Sequence, residues 1–488
     1  MPPEFSVLTP PELEGAIDLS RYRQRLESVV PVQSRGRVRQ VVGLLVEVEG
    51  VAGQLGEICR IERASMEPVL AEIVGFRDSR TLVMPFGELR GVQSGARVIT
   101  DGGLFTLPVG DALLGRVIDG LARPIDGRGP IHGSARQPLA ASAPHALQRR
   151  NIEEPLSTGI RAIDAALTVG KGQRIGIFAG SGVGKSTVMA MIARYASSDV
   201  NVIALVGERG REVREFIERA LGPEGLARSV VVVATSDEPA LLKMQAAAVA
   251  TTIAESFRAS GRDVTLLMDS VTRYAMANRE IGLAIGEPPT MKGYPPSVFS
   301  ALSRLLERAG TSDEGTITAF YAVLVESDDL TEPITDAVRG TLDGHIVLTR
   351  ELAAQNHFPA IDLLQSTSRV MPSIVGRDHM EAAGRLRELL ATYERSRDLV
   401  TIGAYQQGTD PRLDLALERL PAIEAFLRQR PDEAQSLAET VPQLMALIGG
   451  EPAAPSMAPG QDETTPASAD VEVVDFALEP AFTPAEGE

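Results

Sequence analysis

The sequence has one cysteine, Cys59, and no tryptophan among 488 residues. A single thiol excludes an internal disulfide. Five histidines, scattered without an HxxxH pair, offer no zinc pattern, so any metal is expected to arrive with a nucleotide. No run approaches the ~18 to 20 consecutive apolar residues of a membrane span. The opening Met-Pro-Pro-Glu-Phe lacks the basic and apolar regions of a secretory signal, and a cytoplasmic location is expected. Aromatics are only 4% of the chain and the net charge is −17, which argues against nucleic acid as a partner.

With 44% hydrophobic residues over this length, two to four domains with substantial cores are expected. The excess charge is unevenly placed. Residues 451–488 hold nine Asp and Glu, six prolines and no Lys or Arg, a composition that cannot bury enough apolar surface to offset its ordering entropy. Residues 450–488 therefore read as an acidic disordered tail. Val471 to Leu478 within it is either a short docking peptide or part of a solvated stretch.

At the other end, Leu19, Tyr22, Leu26 and Val29 recur at spacings of three and four with Arg21, Arg23 and Arg25 between them, which predicts an amphipathic helix within 1–34. It packs on its own domain or docks on another protein. Residues 35–110 carry short β-rich pieces punctuated by glycine (Val41 to Val48, Ile58 to Arg60, Glu72 to Phe76, Thr81 to Met84, Arg97 to Ile99) and predict a β-barrel. A connector, 111–150, follows. Over 151–375 apolar strand runs alternate with helical ones, the pattern of a mostly parallel sheet with helices on both faces. Helices at about 377–399, 411–429 and 432–447 predict a C-terminal helical domain, 376–449. The fold class is α/β.

Chemistry concentrates in the alternating region. Ala179, Gly180, Ser181, Gly182, Val183, Gly184, Lys185, Ser186 and Thr187 follow an apolar strand and open a helix, which is the setting of a phosphate-binding loop. Glycines let backbone N–H groups close around phosphate oxygens, Lys185 reaches the β and γ phosphates, and the Ser186 hydroxyl can ligate Mg2+. The pattern departs from the strict motif only at Ala179. Hydrolysis also needs an oriented water. Gly207 to Val213 places Glu208 at the carboxyl end of the next strand, where it orients or deprotonates that water, with Arg209 beside it; the bland alternative is a helix-start carboxylate in a charged loop. Asp269 ends another apolar strand, the expected position for a carboxylate that holds Mg2+ through water.

These motifs resemble the catalytic subunits of rotary ATP synthases and, more closely, the ATPases of type III protein export, the flagellum-specific ATPase before the virulence-secretion one. The likeness runs from Arg35 to Leu417. It includes Glu154 to Asp164, Ala179 to Thr187, Gly207 to Val213, Asp269 to Ala277, Gly286 to Phe299, Leu342 to Val347 and Ser366 to Val370. The resemblance implies a P-loop, rotary-ATPase-like core and a homohexamer that binds ATP and Mg2+ between neighbours. It implies that Arg369 is an arginine finger for the adjacent site. Phe358 matches a position that packs on adenine and otherwise reads as a core aromatic; Tyr405 is a further nucleotide-side candidate. Implied partners are a stator-like regulator at the N-terminal segment, a central stalk protein, export-gate membrane proteins and chaperone–substrate complexes, with the ring peripheral to the inner membrane. Rival readings are a non-catalytic ring subunit, a synthase subunit and an RNA-translocating termination-type hexamer. The acid at Glu208 opposes the first and the scarcity of aromatics the last.

Overall fold

Alternation decides the first part of the chain. Val38, Val46, Val48, Cys59, Ile61, Ala71, Ile73, Val83 and Val98 are buried at every second position of strands whose other residues face outward. A sheet with one apolar face and a right-handed twist covers that face by closing on itself. Six strands do so: β1 (Ser34–Val42), β2 (Leu45–Glu49), β3 (Glu57–Arg63), β4 (Met66–Arg77), β5 (Arg80–Pro85) and β6 (Arg97–Leu104), in the closed order β1-β2-β5-β4-β3-β6. Cys59 points inside, where burial above all pushes its thiol up to about 12, so it stays protonated and unreactive. The computed structural model describes residues 33–139, 143–325, 329 and 331–448. The expected amphipathic segment at 13–30 and the acidic tail lie outside the described residues.

The central sheet has a different texture. Val200–Glu208, Ser229–Thr235 and Asp263–Asp269 are buried at nearly every position, as parallel strands covered on both faces must be. The sheet has nine strands. Eight are β7 (Val117–Asp119), β8 (Arg174–Ala179), β9 (Val200–Glu208), β10 (Ser229–Thr235), β11 (Asp263–Asp269), β12 (Thr316–Leu324), β13 (Gly344–Leu348) and β14 (Ile361–Ser368), in the order β14-β13-β8-β12-β11-β9-β10-β7. The short strand Gly310–Thr311 pairs antiparallel with β12, and β14 runs antiparallel to β13; the other neighbours are parallel.

Helices cover both faces. On one lies α1 (Lys185–Tyr195), which shares an apolar cluster with three C-terminal helices. On the other lie α3 (Ala240–Arg258) and α4 (Val271–Ile285). A short α2 (Gly210–Glu215) follows β9 and runs into a single π-helical turn, Phe216–Leu221. The C-terminal helices are α5 (Arg377–Thr401), α6 (Pro411–Leu427) and α7 (Leu437–Ile448). The barrel wall meets the nucleotide domain through Leu45, Met84 and Phe86 against Leu121, Leu241 and Ile281.

Three details differ from the sequence expectation. Val41 to Val48 is not one strand: Gly43, at φ +58, turns the chain so that Val42 pairs with Leu45 in a hairpin. The stretch read as a connector supplies β7, which extends the sheet beside β10. Finally, β14 was hidden in the sequence because polar Asp362 and Gln365 to Ser368 leave it no continuous apolar run.

Candidate active site

The loop between β8 and α1 is shaped by glycine. Gly184, the residue before α1, sits at φ +95, a left-handed conformation that side chains resist, and Lys185 follows as the first helical residue. Lys185 is buried, with 9% of its side chain exposed, and its ammonium does not point to solvent. It forms an ion pair with Asp269 at the end of β11, and lies 3.6 Å from Glu208 Oε1 at the end of β9. Strands β8, β12, β11 and β9 are adjacent in that order, so Lys185 crosses the end of β12 to reach both acids. Gly207 makes the approach of β9 possible, since a β-carbon there would lie 2.8 Å from the Arg273 side chain.

Two carboxylates thus share one cation in a nearly dry place. Burial pushes the Glu208 carboxyl up to about 7; Asp269 beside it and Glu212 beyond add to the rise, and Lys185 opposes it. A carboxyl that titrates near neutrality is poised to take a proton from water and give it up again. A cleft of about 380 Å³ opens beside the cluster, lined by Ser186, Thr187, Glu208 and Asp269 and walled by Met191 and Phe216. That volume lies within the range of small-molecule sites.

The donor set suits a hard cation brought by a phosphate. Ser186 and Asp269 offer oxygen ligands on the same cleft. Among the described residues no group of three or more His, Cys, Asp or Glu could hold a metal without further ligands.

The remaining candidates fall into three classes. Phe358 is brought to the loop: a β-carbon on Gly184 would meet its ring at 3.7 Å, and 40% of the residue is exposed, so it is a surface available to a ligand rather than a core aromatic. Arg209 is beside Glu208 in sequence only. Its side chain is 77% exposed and turned toward Glu212 at 3.1 Å. Tyr405 lies at the α5–α6 connection, where its hydroxyl donates to Asp414 at 2.7 Å, and it does not line the cleft.

Arg369 stands at the opposite end of the sheet. Its backbone N–H donates to the Asp343 carbonyl at 3.0 Å, and the Asp343 N–H donates to the Arg174 carbonyl at 2.9 Å, which puts Arg369 level with the start of β8. The phosphate loop begins at the other end of β8, roughly 17 Å away at ~3.3 Å per residue. Arg369 is exposed, and its guanidinium makes no ion pair among the described residues. It cannot serve the site of its own chain. Sequence reasoning assigned no role to Arg273, which packs under Gly207 within the quoted Asp269 to Ala277 motif, and missed Gln173, which braces the Arg369 end and sits in no motif that announces it.

The architecture and the loop–acid cluster define a nucleotide-binding protein of the ATP synthase alpha/beta type. Comparison bears this out: the nucleotide-binding domain of the ATP synthase alpha/beta family matches residues 159–368, its beta-barrel domain matches 38–102, and the T3SS EscN ATPase C-terminal domain matches 375–446. The flagellum-specific ATP synthase of Bacillus subtilis is 53% identical over 418 residues, covering 85% of this chain and 95% of that protein. The type 3 secretion system ATPase of Xanthomonas euvesicatoria is 54% identical over 413 residues, covering 84% and 93%. The assembled ATPase EscN of the enteropathogenic E. coli type III secretion system superposes with a TM-score of 0.81 at 46% identity, over 85% of this chain and 100% of that one. The chain belongs to the ATP synthase alpha/beta family, in its branch of flagellum-specific and type III secretion ATPases, and is an ATPase.

Proposed function

We propose that the chain hydrolyses Mg-ATP as a ring of six and that hydrolysis energises type III protein export, most directly of flagellar components. One observation carries the catalytic part: Lys185, Glu208 and Asp269 meet in a buried cluster at the phosphate loop, with the Glu208 carboxyl raised to about 7. Lys185 holds the β and γ phosphates once ATP separates it from Asp269. Ser186 and Asp269 would hold Mg2+, which neutralises phosphate charge. Glu208 orients water and takes its proton. Phe358 stacks on the base.

The ring follows from Arg369. An arginine rooted at the end of the sheet away from its own loop serves a nucleotide only if a second subunit presents one there. A finger of this kind is worth ~10³ to 10⁵ in rate. EscN was solved both assembled and with its central stalk EscO, and by analogy a stalk protein occupies the channel here, next to the loop at 286–296. The ring sits on the cytoplasmic face, peripheral to the membrane export apparatus, and receives chaperone–substrate complexes and meets the export gate. The segment at 13–30 binds a stator-like regulator; unchanged regulator affinity after deletion of residues 1–30 would refute that point. Barrel, nucleotide and helical domains, 35–110, 151–375 and 376–449, form its three layers.

The test is steady-state ATPase rate against protein concentration, with mass by light scattering, for wild type and Arg369→Ala. The specific rate climbs with assembly and collapses in Arg369→Ala while nucleotide still binds. An assembled Arg369→Ala ring with full activity would sink the shared-site reading. A virulence-secretion role is the second reading, favoured by the 54% identity to the Xanthomonas protein. Motility restored in a strain lacking its flagellar ATPase supports the first reading; secretion restored without motility supports the second.

A further inference from the structure

A buried amide joins three parts of the chain beneath Arg369. Gln173, fully buried just before β8, uses every polar atom of its side chain. Its Oε1 accepts from the Gly170 N–H at 2.8 Å, and its Nε2 donates to the Asp343 carbonyl at 3.1 Å and to Ser368 Oγ at 3.0 Å. Both acceptors flank the root of Arg369. The Asp343 carbonyl is the one that also receives the Arg369 N–H, and Ser368 is the preceding residue.

The surroundings make this root stiff. Ser368 Oγ donates to the Thr168 carbonyl at 2.9 Å, while the Asp343 carboxylate is gripped by Arg174 through Nε and Nη2, each at 3.0 Å. Above it the Arg369 side chain is exposed and makes no ion pair among the described residues. A fixed backbone under a free charged head lowers the ordering cost when that head meets an anion, the cost that otherwise weakens a long flexible side chain. Gln173 also immediately precedes the strand whose far end opens into the phosphate loop. One strand therefore lies between the nucleotide a subunit holds and the arginine it extends.

We infer that Gln173 is a positioning residue for Arg369, rooting it through Asp343 and Ser368 so that it meets the nucleotide held by the neighbouring subunit. This rests on the reading of Arg369 as a finger acting in trans. The experiment compares the full chain, assembled, as wild type, Gln173→Leu, Arg369→Ala and the double variant. It measures kcat and KM for ATP, affinity for trinitrophenyl-ATP, and ring mass. Loss of two side-chain hydrogen bonds to the root lowers kcat in Gln173→Leu by about tenfold. KM, analogue affinity and ring mass stay at wild-type values, and the substitution costs nothing more in the Arg369→Ala background. An equal fractional loss in both backgrounds, or weaker analogue binding in Gln173→Leu, overturns the inference, because the residue then acts through its own loop or through folding. Should Gln173→Leu fail to assemble, Ser368→Ala removes one anchor from outside β8, and the same two outcomes decide. An assembled Arg369→Ala ring with full activity overturns the finger and this inference together, whereas additive losses overturn the rooting alone.

Discussion

The carboxyl end of the central sheet and the wall of the barrel each hold a half-buried acid pushed up to about 7. In the sheet it is Glu208, raised by burial and by Asp269 and held down in part by Lys185. On the barrel it is Glu72 of β4, raised by burial alone. Glu72 pairs across the strands with Ile58 and Met84, and shares its face with Leu70 and Val74, which pack into the joint with the nucleotide domain. Among the described residues it has no ion-pair partner. The two differ in company. Burial by itself raises a carboxyl pKa; chemistry also needs a cation to receive phosphate, a second acid, and a cleft that admits substrate. Glu208 has all three and Glu72 has none.

Replacing each acid by its amide separates the two most sharply. Glu208→Gln keeps the shape of the site and removes the base, so kcat falls by ~10² to 10⁴ while nucleotide still binds; steady-state kinetics beside equilibrium binding checks this. A full rate in that variant would put Glu208 in the same class as Glu72.

A pH profile is the next step down. Below about 7 the Glu208 carboxyl holds its proton and cannot accept another, so kcat/KM drops about tenfold per pH unit on the acid side and levels above neutrality. The residual rate of Glu208→Gln lacks that step. Loss of the step in Glu72→Gln instead would assign the titration to the wrong acid.

Glu72→Gln acts on stability. The folded-state value lies above the unfolded one of 4.5, so between 4.5 and about 7 the native state binds more protons, and stability falls as pH rises through that window. Removing the charge therefore stabilises the protein at pH 8 by about 3 kcal/mol and leaves it unchanged near pH 4. Urea unfolding at the two pH values reads the difference, and ATPase activity at pH 8 stays as in wild type. The smallest effect is expected at Arg209, whose exposed pair with Glu212 is screened by solvent. Arg209→Ala changes kcat by less than about twofold, and a large loss would bring that side chain into the catalytic group.

The two regions were legible to different degrees. Barrel strands announce themselves by period-two alternation, but a glycine in mid-run hid the hairpin at Gly43, because the residues on both sides are equally β-prone. The parallel strands were clearer still, since each is a continuous apolar run between polar loops. Antiparallel β14 was not, because Asp362 and Gln365 to Ser368 interrupt its apolar residues. Arg209 stands beside Glu208 in the chain, yet a side chain one residue past a strand end turns away from the acid before it. Tyr405 followed family likeness alone, and its hydroxyl is engaged by Asp414.

The sequence by itself determined the glycine loop between β8 and α1, because it is one contiguous stretch whose conformation comes from glycines at fixed offsets between a strand and a helix. It also determined which residues end the apolar strands, and so that acids would stand at the same edge as the loop. Only the tertiary structure decided that Lys185 bridges to residues 23 and 84 positions away, that Glu208 is dry enough to titrate near neutrality, and that Arg369 stands at the end of the sheet away from its own glycine loop. Strand order and register place those groups, and burial sets their charge. Both depend on contacts between segments far apart in the chain, which no local pattern encodes.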